Sequence, residues 1–232
     1  MTNRSGNALI APASGQGGAR GLLKERAYEE IKRRLLSNHY PPGSFLAERQ
    51  LAEELGMSKT PVKAALERLE HEGFITVSPQ QGIVVRELAL REIADQYEIR
   101  VALESFTVRA VAGKLTADQV ARVRANLKAQ KDIRGKCEVS RAVDLDSEFH
   151  ILFAACLGNQ EILRVTLQLR EKMQRVITTV FQLNPGRIDS SYDEHFAIAE
   201  AVIRGDGDEA ARLAELHLTV GKRLLLSPRH GG

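Results

Sequence analysis

Tryptophan is absent from the 232 residues of this chain, and aromatic side chains make up only 5% of them. The core must therefore be mostly aliphatic, and with 43% of the chain hydrophobic there is enough material for a sizeable one. Cysteine is scarce too. Cys137 and Cys156 are too few for a disulfide framework and lack the spacing of a metal-binding pair. They read as reduced thiols of a cytoplasmic protein. No run approaches the ~18 apolar residues that a membrane-spanning helix needs, so no membrane partner is expected. The stretch MTNRSGNALIAPASGQGGARG has no apolar segment long enough for a signal peptide. Its Gly, Ala and Ser content predicts a flexible tail over residues 1–20.

An excess of charge of one sign is also small, at a formal +3. Its placement says more than its size. Residues 1–86 carry 12 Lys and Arg against 9 Asp and Glu, whereas residues 87–232 carry 21 of each. The whole excess sits in the N-terminal third, as expected if that third meets a polyanion. The length suffices for two domains, and the hydrophobic pattern changes character near residue 88.

The segment 21–87 opens with LLKERAYEEIKRRLLSNH, in which Ala27, Ile31 and Leu35 recur every fourth residue. The residues YPPGS break that helix. A short helix follows from about Glu48 to Leu55 and stops at Gly56. Ser58 or Thr60 can cap the next helix, and Pro61 is tolerated in its first turn. Val62, Ala65, Leu66 and Leu69 form the buried stripe of that helix, with Lys59, Thr60 and Lys63 facing away from it. FITVSPQQGIVVRE then reads as a two-stranded hairpin. Three short helices and a hairpin make a winged helix-turn-helix. Its recognition helix enters a major groove by the N-terminal end, where backbone N–H groups and lysines suit phosphate and short hydroxyls reach bases. Charged surface helices are common, so this helix alone would suit a solvated face. The ordered set of elements and the charge excess favour DNA.

These residues resemble the DNA-binding domain of GntR-type bacterial transcription regulators. The resemblance is carried by LAERQLAEELGMSKTPVKAALERLEHEGFI and SPQQGIVV. It implies that Arg49, Ser58, Lys59, Thr60 and Lys63 touch double-stranded operator DNA and that Gln81 and Gly82 form the wing tip. Positions 59 and 63 depart from the family, in which Arg is usual. Lysine keeps the charge but loses the two-donor fork that suits guanine.

From about residue 88 to 228 the chain reads as helix after helix, near 89–113, 116–134, 140–157, 159–184, 188–205 and 207–226. Thr116 and Gln119 make a capping box for the second of them. The fold class is therefore mainly α, a winged helix-turn-helix followed by an all-helical bundle. In DLDSEFHILFAA, Asp146 and His150 lie at i and i+4 on one helix face, and Phe153 and Leu157 continue the stripe. His195 shares a stripe with Ile198, Ala199 and Val202, and His217 one with Leu213, Val220 and Leu224. A lone histidine on an apolar face is usually a satisfied core residue. Four such groups aimed inward from three helices can instead hold a divalent ion, as helix bundles do. Zn, Ni, Mn or Fe would suit three imidazoles and a carboxylate. Ile93, Tyr97, Arg100 and Glu104 share one face of the first helix of this region. Arg100 can pair across the bundle, or bind a carboxylate ligand through two parallel hydrogen bonds.

The resemblance continues here. YEIRVALESFTVRAVA, DSEFHILFAACLGN and DEHFAIAEAVIRGD are similar to the helical FCD effector domain of the FadR subfamily, and six helices match its shorter VanR-like branch. The resemblance implies a divalent metal on Asp146, His150, His195 and His217, and a small organic-acid effector facing Arg100. It further implies a homodimeric, cytoplasmic regulator, with repression the commoner outcome. Three other readings stay open at this level. The ion could itself be the signal, or a purely structural stiffener of the bundle. The domain could also be a metallohydrolase with Glu104 as base to a metal-bound water.

Overall fold

A computed structural model describes residues 16–78 and 82–226, with side chains from Gly21 to Leu225. The chain divides into two compact units, with the break between Glu87 and Leu88.

The first unit runs α1 (Gln16–Leu36), β1 (Phe45–Leu46), α2 (Glu48–Leu55), α3 (Lys59–His71), β2 (Ile75–Ser78) and β3 (Gly82–Val85). Helix α1 begins inside the segment expected to be a tail, so residues 16–20 are helical. Residues 1–15 lie outside the described residues. Ala27, Ile31 and Leu35 are fully buried against Val62, Ala65 and Leu69 of α3, which is the stripe the spacing predicts. Gly56 stops α2. At φ +61 it adopts the left-handed conformation that glycine tolerates, and its N–H reaches the Ala52 and Glu53 carbonyls. Ser58 occupies the cap position of α3, but its side chain makes no capping bond, and Thr60 lies inside the helix. The expected hydroxyl cap is therefore not made.

The two-stranded hairpin becomes a three-stranded antiparallel sheet in the order β1-β3-β2. Phe45 pairs with Val84, and so does Thr76 from the other side. Two residues are too short a run to show any periodicity, so β1 left no alternating signal. Pro79 to Gln81, the hairpin tip, lie outside the described residues.

The second unit is a bundle of α4 (Leu90–Val111), α5 (Ala117–Asp132), α6 (Val139–Leu157), α7 (Gln160–Leu183), α8 (Gly186–Arg204) and α9 (Gly207–Leu226). The capping box forms as expected: Thr116 Oγ1 accepts from the Gln119 N–H at 3.2 Å, and Gln119 Oε1 accepts from the Thr116 N–H at 2.9 Å. Two apolar clusters fill this bundle. On α4, Ile93 and Tyr97 belong to one and Val108 and Val111 to the other, with Arg100 and Glu104 between them. On α8 the order is Ile188, then His195, then Ile198 and Val202. The buried polar side chains thus fall where the two apolar clusters meet.

His217 needs a correction. Its buried companions on α9 are Ala210, Ala214 and Leu218, while Leu224 is 39% exposed. The expected stripe through Leu213, Val220 and Leu224 lies to one side of the face that α9 buries.

Where α4 and α8 end, their chains touch. Gly113 has φ +71, and a Cβ there would stand 3.1 Å from Gly205 Cα, a backbone atom that cannot move aside. Gly135 has a similar φ of +70 with open space around it. Gly135→Ala is expected to cost roughly 1–2 kcal/mol from the left-handed backbone alone, and Gly113→Ala a further 1–3 kcal/mol from overpacking. Urea unfolding of both variants checks this, and equal losses would remove the steric part.

Candidate functional site

Asp146 and His150 stand one turn apart on α6, His195 on α8 and His217 on α9, and all four are buried. One ligand atom from each lies within 4.8 Å of the other three. His195 Nε2 is 3.3 Å from His217 Nε2 and 3.6 Å from Asp146 Oδ1, and His150 Nε2 is 4.0 Å from that oxygen. Bonds of ~2.1 Å to one tetrahedral ion would put the donor atoms about 3.4 Å apart, so small side-chain adjustments suffice. The structure thus brings together the four residues expected to share an ion.

The other face of each ring decides what these nitrogens can do. His150 Nδ1 lies 2.5 Å from Glu104 Oε2, His217 Nδ1 2.6 Å from Glu194 Oε2, and His195 Nδ1 2.9 Å from Gln130 Oε1. Carboxylate and amide oxygens only accept, which favours the proton on Nδ1 of His150 and His195 and a lone pair on their Nε2. His217 Nδ1 also meets Arg187 Nη2 at 3.2 Å, so either of its tautomers has a partner there. The Gln130 orientation is assigned by its own partner, because its Nε2 donates to Asn126 Oδ1 at 2.6 Å. His195 Nε2 and His217 Nε2 stand 3.3 Å apart, a distance that a shared proton or an ion ligated by both would satisfy. His150 Nε2 is buried with no partner at all. An orphaned acceptor of this kind costs about 1–3 kcal/mol, which a bound ion would remove. The donor set therefore fits a divalent metal. Phe149 stacks on the His195 ring at 4.1 Å between centroids and holds its plane.

Around this set lies a belt of buried ions. Arg100 Nε donates to Glu104 Oε1 at 2.8 Å, the i, i+4 pairing within α4 that the sequence offered as one alternative. Glu104 Oε1 is thereby committed to Arg100, while its Oε2 lies against the His150 ring without a hydrogen-bond partner. Arg170 of α7 bonds Asp146 Oδ2 through Nη2, leaving Oδ1 toward the imidazoles. Arg187 of α8 holds Glu194 with two bonds of 2.6 Å. Burial pushes the Asp146 and Glu104 carboxyls up, but Arg170 and Arg100 respectively outweigh it and hold both well below the usual range. Glu194 falls to about 2, because its bonds to His217 and Arg187 overcome burial. Burial lowers His150 to about 4 despite Glu104 beside it. Burial, with His217 and His150 adding to it, takes His195 well below its ordinary value. Both stay neutral near pH 7, the form that ligates a metal.

Sequence reasoning found the four inward groups and Arg100 but missed Gln130, Glu194, Arg170 and Arg187. Gln130 had a signal: Val123, Asn126, Leu127 and Gln130 are the buried face of α5 at helical spacing. Arg170 and Arg187 had none, since arginines at helical spacing are ordinary on exposed faces.

In the first unit, Arg49, Ser58, Lys59, Thr60 and Lys63 are all exposed. Ser58, Lys59, Thr60 and Lys63 gather at the N-terminal end of α3, and Arg49 sits on α2, where it pairs with Glu53 at 2.9 Å in full solvent. Gly82 opens β3 at φ +77. Gln81 lies outside the described residues.

Residues 23–85 match the family model described as bacterial regulatory proteins, gntR family, and residues 95–220 match the FCD domain. The chain is 30% identical over 183 residues to the Nta operon transcriptional regulator of Aminobacter aminovorans, covering 79% of this chain and 85% of that one. It is 24% identical to the HTH-type transcriptional repressor RspR of Escherichia coli, over 84% of this chain and 86% of that one. Among solved structures, E. coli McbR/YncC superposes with a TM-score of 0.75 at 22% identity, over 88% of this chain and 96% of that one. A GntR regulator from Rhodococcus sp. RHA1 gives 0.77 at 17% identity, over 89% and 99%. No described helix is long and apolar enough to cross a membrane.

The buried imidazoles set a pH dependence for metal-free protein. His150 has a folded value near 4 against an ordinary 6.5, so the unfolded chain binds protons first on acidification. Its contribution to stability is complete above about pH 6.5 and is lost as pH falls toward about 4. Asp146 and Glu104, also depressed, extend the loss to lower pH. Thermal melts of chelator-treated protein should show the melting temperature falling across that window. A flat profile would contradict the neutral buried rings.

Proposed function

The chain belongs to the gntR family of bacterial regulatory proteins and carries an FCD domain, and on that premise we propose that this DNA-binding transcriptional regulator is a repressor switched by a small carboxylate bound beside a divalent metal. The metal, Zn, Ni, Mn or Fe, sits on Asp146, His150, His195 and His217. Arg100 takes a carboxylate of the effector. A homodimer binds a palindromic operator through α3 of each copy, with Arg49, Ser58, Lys59, Thr60 and Lys63 against the duplex and Gln81 and Gly82 at the wing. The effector acts by binding one arrangement of the regulator better than another, since only a difference in affinity moves such an equilibrium. The division of labour follows the two units, residues 21–87 for DNA and 88–228 for metal and effector.

The observation that supports this reading best is the convergence of three histidines, each with Nδ1 beside an oxygen and Nε2 turned toward one carboxylate oxygen. A bundle that needed only to fill space would not orphan His150 Nε2 in its interior. Arg100 already meets Glu104, so a carboxylate ligand would share that guanidinium with it.

Elemental analysis of purified protein is expected to find about one divalent ion per chain. Replacing His150, His195 and His217 together by Ala should abolish it, and equal metal in both proteins would sink the site. Arg100→Ala should keep metal and operator binding but lose the response to any acid that alters operator binding of the wild type. A normal response would remove Arg100 from the effector site.

The DNA face has its own test. On duplexes selected from a random pool by the wild type, Lys59→Ala and Lys63→Ala should each weaken binding. Each should also lower the slope of log affinity against log salt by roughly 0.9. Wild-type binding at every salt concentration would displace the recognition surface from α3.

A further inference from the structure

Two of the groups behind the three imidazoles are carboxylates, and the third is an amide. A carboxylate offers only oxygens, so it cannot be turned the wrong way round. Gln130 can. Its Oε1 lies 2.9 Å from His195 Nδ1 and favours the proton on that nitrogen, which leaves Nε2 with the lone pair that a metal needs. Turned over, the same amide would offer its NH2 group to Nδ1. The ring proton would then move to Nε2, the atom that faces Asp146 and His217. The metal-binding form of His195 is therefore only as secure as the orientation of Gln130.

That orientation is held from outside the site. Gln130 Nε2 donates to Asn126 Oδ1 at 2.6 Å, one turn back on α5. Asn126 Nδ2 donates twice across to α6, to the Leu145 carbonyl at 3.1 Å and to Glu148 Oε2 at 2.9 Å. A carbonyl and a carboxylate accept and do not donate. Reversing Asn126 would therefore set its Oδ1 against two oxygens, and reversing Gln130 alone would set its Oε1 against Asn126 Oδ1. Either change loses a buried hydrogen bond and adds an oxygen–oxygen contact. Asn126 and Gln130 are 4% and 6% exposed and His195 is fully buried, whereas Glu148 lies at the surface. Bulk water thus has little access to the inner amides, and the chain keeps one polarity from its outer end to the ring.

We propose that Asn126 is a positioning residue for the metal: by fixing Gln130, it selects the tautomer of His195 that can ligate the ion. Leu145 and Glu148 on α6 set the direction of the chain, and two amides on α5 carry it to a ligand nitrogen on α8. This rests on the metal reading above and adds to it a residue that acts through Gln130 rather than on a ligand.

Two substitutions separate this role from a purely structural one. Asn126→Leu removes the acceptor, so Gln130 is free to turn. Asn126→Asp keeps an oxygen toward Gln130 and gives up the amide donor toward α6. In full-length, metal-free protein carrying isotope-labelled histidine, long-range proton–nitrogen correlation spectra show which His195 nitrogen is protonated. Competition with a chelating indicator gives the zinc affinity of the same proteins. The wild type and Asn126→Asp are expected to hold the proton on Nδ1. Asn126→Leu should move it toward Nε2 and bind zinc roughly tenfold more weakly. A structural role would make zinc affinity follow the melting temperature. Here it follows the tautomer, so Asn126→Asp recovers most of the zinc affinity even where it melts lower. An unchanged His195 tautomer in Asn126→Leu, or zinc affinity equal to that of the wild type, overturns the role of Asn126 and leaves the metal site standing. Wild-type protein that binds none of zinc, nickel, manganese or iron overturns both.

Discussion

Three imidazole Nε2 atoms turned inward are the constraint around which the second unit is arranged. His195 and His217 lie Nε2 to Nε2 at 3.3 Å, the spacing of a shared proton or of two ligands to one ion. Holding that geometry takes more than the three rings. Glu104 of α4, Gln130 of α5 and Glu194 of α8 each back one ring, and Phe149 of α6 fixes one ring plane. Each helix of the bundle therefore reaches the ligand set directly or through one bond, α7 through Arg170 on Asp146. The two apolar clusters on either side supply the burial, and the polar belt between them fixes the relative setting of the helices. A shift of any one helix would break a charge-assisted bond rather than slide one methyl past another.

The three supports are not equivalent. Glu104 and Glu194 are carboxylates set against His150 and His217, whereas Gln130 is neutral and belongs to a chain of amides. That chain runs from His195 through Gln130 and Asn126 to Glu148 at its outer end. His195 is thus positioned without a charge at its back. Arg170 carries a cost in the same scheme: its Nε and Nη1 are buried without partners, and burial lowers its basicity. It is retained where it holds one oxygen of Asp146 away from the imidazoles and leaves the other facing them.

Much of this was legible in the sequence because it follows from periodicity. The six helices of the bundle, the turn at Gly56 and the stripes of Asp146, His150 and His195 are counts of three and four along the chain, and counting finds them. The His217 stripe was misplaced because α9 is apolar on more than one side, so that counting by itself chose Leu224, which is exposed. Strand β1 is too short to have a period. The supports were invisible for another reason. Gln130 and Glu194 meet their histidines across 65 and 23 residues of chain, and no local pattern encodes such a contact. The Arg100–Glu104 pair, at i and i+4 within one helix, was readable, whereas Arg170 on Asp146 at a separation of 24 was not.

The small charge excess of the first unit becomes more telling once pairing is known. Its basic side chains away from α3's leading end are largely neutralised locally. Arg33 and Arg34 meet Glu30, Lys32 meets Glu72, and Arg68 meets both Glu25 and Glu72. Tyr28 ties this network together, donating to Glu72 while the Arg68 guanidinium lies 3.5 Å over its ring. Lys59 and Lys63 have no acidic partner among the described residues, and they stand where the helix presents its free backbone N–H groups. A net excess spread over the surface would say little about where a polyanion docks. Lys59 and Lys63, left over after internal pairing at a helix N-terminus whose Ser58 hydroxyl caps nothing, support the proposed placement of the DNA face at the leading end of α3.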